Sequence, residues 1–483
     1  MNFDDQKEFN LVGTWWVPGR DQPEHPGILR FSPEERPTLE LPHYMGFLTK
    51  PENNTYTDQS FSEFFPVVCG RTELGPVTLL SMQYGGGADF VISDARFDSP
   101  KPPRFREIRL QFQNFPKWLG QELIKHTIVN TGNSNGNGTK EYVWKYCALP
   151  IEKFSTEKLS FQIFSGFQTK GKQDGALTLH PKVFLKISSS TSEKTIHEWW
   201  HEVILPLRNL FSLATNRPIE ITQFDVIEDR EAKYFLRAKR VFFKGRKMAH
   251  GDRQIHTFDM LFTQNDIAGN DIGKLFNNWL NLYKESTGLS VLCNLYSSAT
   301  STKEQYLEEE FINFAHAAEL YHRARFNSSV LPKTEWKKKI NNILGKIPDA
   351  DEKQWLKEKL CWSNSPTLQN RLEELLETLE PTTSLLVGDK KEFAETVKHT
   401  RNYFTHWDTK GKKKAAFYPQ LYFVTTTLRY LIAACLLREL GFSSEETAKL
   451  FDRNIRINNF RLGAGNSVSK RPGAKMFRIT TSS

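Results

Sequence analysis

Glu392-Phe393-Ala394-Glu395-Thr396-Val397-Lys398-His399-Thr400-Arg401-Asn402-Tyr403-Phe404-Thr405-His406-Trp407 is the stretch from which the rest of the chain is read. Phe393, Val397, Thr400 and Phe404 recur at three- and four-residue steps, which predicts a helix with one buried stripe. Beside the stripe stand Arg401, Asn402 and His406. Asn402 and His406 are four apart and share a face, about 40° off alignment at ~100° per residue. Arg401 lies one residue back, and its long stem swings the guanidinium toward the same place. Arg, Asn and His converging on one surface suit the handling of a phosphate. His399 falls almost opposite Arg401 and lies outside that surface.

Working outward, the surroundings of this helix are helical. Apolar periodicity predicts a helix through Phe311 to Arg323 that carries Glu319, and shorter ones over 336–344, 353–360 and 368–379. After the quoted stretch come a basic loop, Lys410-Gly411-Lys412-Lys413-Lys414, and a long core helix from Tyr418 to Leu440 that Gly441 ends. Ser443 caps a last short helix, with Glu446 placed for a capping box. Short connections predict an antiparallel bundle. From Gly463 the chain is rich in Gly, Ser and Lys/Arg without periodicity, which predicts a mobile tail.

The other end reads as β structure. Leu11–Val17, Gly27–Phe31, Phe65–Cys69, Pro76–Met82, Asp89–Ser93, Arg106–Phe112, Leu159–Phe164 and Lys182–Ile187 are short runs of β-formers punctuated by Pro and Gly. A curled sheet or sandwich is expected, with a loop at 131–138 between two strands. A helix capped at Thr191-Ser192 runs to about Ala214. Further strands follow at 218–222 and 238–243, then a helix over 275–283. The fold class is therefore α+β and multidomain: a β-rich N-terminal part with helical additions, then an all-α bundle.

Composition sets the limits. A chain of 483 residues exceeds one ordinary domain. With 39% hydrophobic and 25% charged residues it fits a soluble globular protein, and 65 Lys plus Arg against 56 Asp plus Glu give a mild excess of +9. That excess is compatible with nucleic acid without requiring it. Five scattered cysteines, none in a C-x-x-C pair, point to a reducing, cytoplasmic setting and away from a disulfide framework or Cys-rich zinc site. The polar, acidic start is not expected to be a signal peptide. The apolar run from Leu421 to Leu437 is broken by three threonines and Arg429, so it reads as a buried helix, with no membrane partner.

A louder motif lies elsewhere. His197-Glu198-Trp199-Trp200-His201 matches H-E-x-x-H, in which two His four apart grip zinc and Glu acts as base. Glu202 follows the second His, no third ligand is placed on a helix, and the tryptophans suit core packing. A structural helix is the preferred reading, and no metal or other cofactor is expected.

Thr400-Arg401-Asn402-Tyr403-Phe404-Thr405-His406 resembles the signature of the HEPN superfamily, in which Arg and a following polar residue precede His. The Phe311-to-Arg323 helix with Glu319 looks like the first helix of those domains, and Leu428 to Gly441 like their closing core helix. Leu11-Val12-Gly13-Thr14-Trp15-Trp16-Val17-Pro18, with Pro26 to Phe31 and Leu207 to Ile219, is similar to the N-terminal part of ApeA proteins. The resemblance implies an ApeA-like sensor or regulatory domain at 1–300, a HEPN ribonuclease domain at 301–462 and a basic tail at 463–483.

It further implies an anti-phage, metal-independent endoribonuclease that cuts cellular RNA, with tRNA one candidate, and causes abortive infection. It implies a homodimer through the HEPN domain, with two Arg…His motifs meeting in one composite site, and a phage-encoded trigger at the N-terminal domain. In this reading Arg401, Asn402 and His406 are catalytic. Glu319 either holds Arg401 or is a surface carboxylate. Tyr403 either stacks on a base or packs beside the core. Lys410, Lys412, Lys413 and Lys414 either track an RNA backbone or form a solvated loop. The competing reading is a non-catalytic HEPN-type module that binds nucleic acid or protein.

Overall fold

Trp15 shows how the N-terminal sequence builds its sheet. Its ring is fully buried, and a Cβ at Gly70 on the paired strand would lie 2.2 Å from it. Only glycine leaves room for the indole there, and the indole N–H donates to the Gly27 carbonyl at 3.2 Å. One Trp thus joins three strands.

The computed structural model describes residues 8–21, 24–41, 64–83, 87–131, 139–171, 177–228, 238–245, 255–267, 269, 271–284, 287–301, 305–326, 329–360, 363–407 and 409–468. A 12-stranded sheet dominates the N-terminal part. Its spatial order is Glu152–Ser155, Leu159–Gly171, Leu177–Ser189, Glu107–Phe112, Ile221–Ile227, Ala238–Phe243, Phe90–Ser93, Gly75–Gln83, Phe64–Thr72, Phe9–Trp16, His25–Phe31 and Thr38–Glu40, each neighbour antiparallel. Glu107–Phe112 alternates half-buried and buried residues, as its polar–apolar alternation predicts.

The sheet curls. Phe9 and Phe242 sit on strands four ladder steps apart, about 19 Å in a flat sheet. Their ring centroids nonetheless lie 5.1 Å apart, and Phe31 meets Phe242 at 5.3 Å. This curled part encloses its own core of Leu11, Trp15, Leu29, Phe65, Leu79 and Phe242. Strands Ile124–Thr131 and Thr139–Tyr146 pair with each other, and 132–138 between them lie outside the described residues.

The helix expected from Thr191-Ser192 starts later. Lys194–Thr195 still pairs as a strand with Arg104–Phe105, and Thr195 is the cap. Its Oγ1 accepts the Glu198 N–H at 3.2 Å while the Glu198 carboxylate accepts the Thr195 N–H at 2.6 Å. The helix then passes through one π turn, Trp200–Ile204, into Leu205–Thr215.

The C-terminal part is helical: Leu307–Arg325 (the brace helix), Lys333–Leu344, Ala350–Leu360, Leu368–Thr378, Lys390–His406 (the motif helix), Gln420–Leu440 (the core helix), Ser444–Arg453 and Ile455–Val468. Ser290–Ser301, which periodicity does not pick out, packs on the brace helix through Tyr296 and Phe314. The core helix has the length and apolarity of a membrane span, but 78% of its apolar window is buried in the bundle. The tail expected from Gly463 begins inside the closing helix, which continues to Val468; 469–483 lie outside the described residues.

One core runs through both parts, from the sheet into the bundle. Polar bonds reinforce it. Arg429 of the core helix donates to Asn216 Oδ1 at 2.8 Å, where Asn216 ends Leu205–Thr215 in the left-handed region. Asn454 donates to the Met260 carbonyl at 2.9 Å, Asn278 to the Leu440 carbonyl at 3.1 Å, and Arg453 pairs with Asp266.

Candidate active site

Asp389 starts the motif helix: its carboxylate accepts the Glu392 N–H at 2.9 Å. Phe393, Val397 and Thr400 are fully buried along the expected stripe, whereas Phe404 is only half-buried near the helix end. Thr400 uses its hydroxyl twice. It donates to the Thr396 carbonyl at 2.7 Å and accepts the Ala416 N–H at 2.8 Å. That second bond ties the return of the basic loop to the motif helix.

Arg401 is about a third exposed. Its Nη2 lies 3.6 Å from Glu319 Oε2 on the brace helix, and its Nη1 donates to Asn402 Oδ1 at 3.3 Å. Glu319 is mostly buried and also accepts from Arg323 at 2.8 Å, so one carboxylate stands between two guanidiniums. Glu319 thus lies beside Arg401 as well as Arg323. His406 is the last residue of the motif helix, and its side chain is exposed. Arg401 and Asn402 therefore touch, and His406 stands one turn on with its imidazole open.

Tyr403 is packed instead of presented. It is 7% exposed, against Phe404, Phe417 and Trp407. Lys412–Lys414 forms a short 3-10 turn, and all four loop lysines are exposed. Lys414 binds Glu395 at 2.6 Å, and that hydrogen bond holds the Glu395 carboxyl below its usual range. The Lys412 ammonium lies 5.9 Å from the Tyr403 ring centroid. His399 is turned to Glu395 at 3.6 Å. Trp407 is 71% exposed beside His406; it stands in the quoted stretch, but spacing carries no sign of its exposure.

The H-E-x-x-H stretch is occupied by structural bonds. His197 Nε2 lies 3.2 Å from Asp89 and 3.1 Å from Ser81, with its ring edge-on to Phe90. Glu198 serves the cap and pairs with Arg104 at 2.9 Å. His201 sits in the π turn and is exposed. Among the described residues no group of three or more His, Cys, Asp or Glu is placed to hold a metal ion.

The family model for ApeA N-terminal domain 1 matches residues 10–279. This chain belongs to the ApeA family. The model for the Apea-like HEPN domain matches residues 312–446, which include the brace helix from Ile312, the motif helix and the core helix. Neither curated proteins nor solved structures give a match. The ApeA pairing of domains puts the motif helix inside a type of domain generally associated with nucleases, and one that commonly dimerises and binds RNA.

Proposed function

We propose that this ApeA-family chain is an anti-phage effector that cleaves RNA without metal, by attack of a ribose 2′-OH on the adjacent phosphorus. The observation that carries the reading is one helix end where His406 is open to solvent and Arg401, backed by Glu319, keeps part of its guanidinium exposed.

The chemistry needs a base for the 2′-OH proton, an acid for the leaving 5′-oxygen and donors for the extra charge on the phosphorane. The O–P bond to the 2′-oxygen forms as the bond to the 5′-oxygen breaks, leaving a cyclic phosphate and a 5′-hydroxyl. An imidazole serves as base or acid near neutral pH. The Arg401 fork supplies donors for the phosphorane oxygens. Asn402 accepts from Arg401 and so helps fix its orientation. One His cannot be base and acid in the same step, and a second copy of the chain supplies the other. The homodimer is therefore part of the proposal, with the exposed lysines tracking the RNA backbone. Cellular RNA, tRNA among it, is the substrate class, and a phage-encoded trigger acts at the N-terminal domain to produce abortive infection.

The test uses purified full-length chain, activated in cells or in vitro, with RNA in EDTA. Wild type is expected to cleave and His406→Ala and Arg401→Ala to lose cleavage while melting like wild type. His406→Ala that cleaves at the wild-type rate would sink the reading. RNA binding without cleavage by wild type would favour the non-catalytic module instead.

A further inference from the structure

Trp407 follows His406 and takes φ 52° and ψ 40°, the left-handed region. Helices commonly end through that conformation at Gly or Asn; a bulky L-residue there is strained. Strain of this kind persists where the surroundings hold it in place, and it clusters at functional sites. Here the conformation lays the indole against Tyr403, with centroids 5.3 Å apart and planes 25° from parallel. Tyr403 is itself fixed by Phe417 and Phe404, so Trp407 rests on a rigid aromatic floor. With one face on Tyr403 and a side chain 71% exposed, the indole has its other face open. Lys412 reaches the same Tyr403 ring, and Lys410 and Lys413 are exposed on the same loop. An open aromatic face beside a lysine-rich loop matches an unpaired nucleobase with its phosphates.

We propose that Trp407 is a stacking platform for one unpaired base of single-stranded RNA, seating that nucleotide beside the phosphate handled by Arg401 and His406. The proposal rests on the ribonuclease reading and deepens it. Bases in a duplex are already stacked on their neighbours, so the platform selects loops and unpaired segments over paired ones. The base role considered for Tyr403 thus passes one helical turn along, to the ring that Tyr403 supports.

The experiment measures binding apart from cleavage. The probe is a fluorescein-labelled, mixed-sequence RNA oligonucleotide, fully 2′-O-methylated so that no 2′-OH can attack. Full-length wild type, Trp407→Gly and Trp407→Phe are titrated by fluorescence anisotropy. Glycine suits the left-handed position, so Trp407→Gly keeps the helix end, and a thermal melt verifies this. Trp407→Gly is expected to bind roughly 5- to 150-fold more weakly, the range that removing a base–aromatic stack gives. Trp407→Phe recovers most of the affinity. With cleavable RNA, Trp407→Gly raises KM more than it lowers kcat.

Equal affinity of wild type and Trp407→Gly overturns the proposal, as does a wild type that does not bind the probe. Light scattering that shows Trp407→Gly falling from dimer to monomer also overturns it, and gives the indole to contact with a second copy. If His406→Ala still cleaves in EDTA, the ribonuclease assignment fails while the affinity difference at Trp407 remains measurable.

Discussion

The helix that begins at Ile196 and the helix that ends at His406 both carry histidines near charged neighbours. In the first, His197 is held by Asp89 and Ser81, and Glu198 is used up by the Thr195 cap and Arg104. In the second, Arg401 is braced from behind by Glu319, and His406 is exposed to solvent. The first arrangement satisfies its polar atoms within the fold, where they stabilise a helix start against a sheet. The second leaves the imidazole proposed for proton transfer exposed and braces its neighbour Arg401. A reactive site needs polar atoms held in position and still unspent, and the pairing of a braced Arg401 with an exposed His406 is the arrangement that fits this need.

The sharpest way to break this contrast is to remove one histidine from each helix. His406→Ala is expected to lower RNA cleavage by roughly 10²- to 10⁴-fold, the usual contribution of a general acid or base. His197→Ala should leave cleavage unchanged and lower the melting temperature, because its ring packs against Phe90. Gel assays of RNA cleavage in EDTA check both; a loss at His197 comparable to that at His406 would put chemistry on the wrong helix. A smaller effect is expected behind the site. Glu319→Gln keeps the shape but loses the charge between Arg401 and Arg323, and should lower kcat about tenfold, ~1.4 kcal/mol of transition-state stabilisation. Steady-state kinetics decide this: unchanged kcat would make Glu319 a structural carboxylate only.

The physical signals behind these two helices differed in how far they could be read. Buried stripes and strand alternation were legible because burial acts at a fixed period, as Phe393, Val397 and Thr400 or the Glu107–Phe112 strand show. The start of the first helix was misplaced because Thr191, Ser192 and Thr195 are all good caps, and what selects Thr195 is the pairing of Lys194–Thr195 with a strand some ninety residues earlier. The curl of the sheet rests on Phe9 meeting Phe242, a contact no local window contains. At the candidate site, spacing could only put Arg401, Asn402 and His406 near one face of one helix, and the family resemblance is what singled them out. The Glu319 contact needed the packing of two helices, and the exposure of Trp407 needed the left-handed backbone at the helix end.

The stabilising role of the first helix can be tested at its cap. Thr195→Ala removes the Oγ1 acceptor for the Glu198 N–H and should cost about 1 kcal/mol in denaturant melts, with RNA cleavage unchanged. If cleavage fell with stability, the two helices would not be doing separate jobs.

The smallest effect is electrostatic. Burial alone would raise the Glu198 carboxyl, but bonds from Thr195 and the charge of Arg104 outweigh it and leave the group below its ordinary 4.5. The folded state therefore holds the carboxylate more tightly than the unfolded chain does. The sign follows: this stabilisation is fully present above the unfolded value and fades as pH falls through the lower, folded one. Glu198 is more than a third exposed, so solvent screening keeps the effect to roughly 0.2–1 kcal/mol. Comparing wild type with Glu198→Gln in urea melts, from neutral pH down through the carboxylate range, should show a gap that closes in acid. No gap at any pH would mean that Glu198 acts only as a hydrogen-bond acceptor, which glutamine also supplies. Cleavage by Glu198→Gln should keep the wild-type pH profile, because the groups proposed to set that profile sit at the end of the other helix.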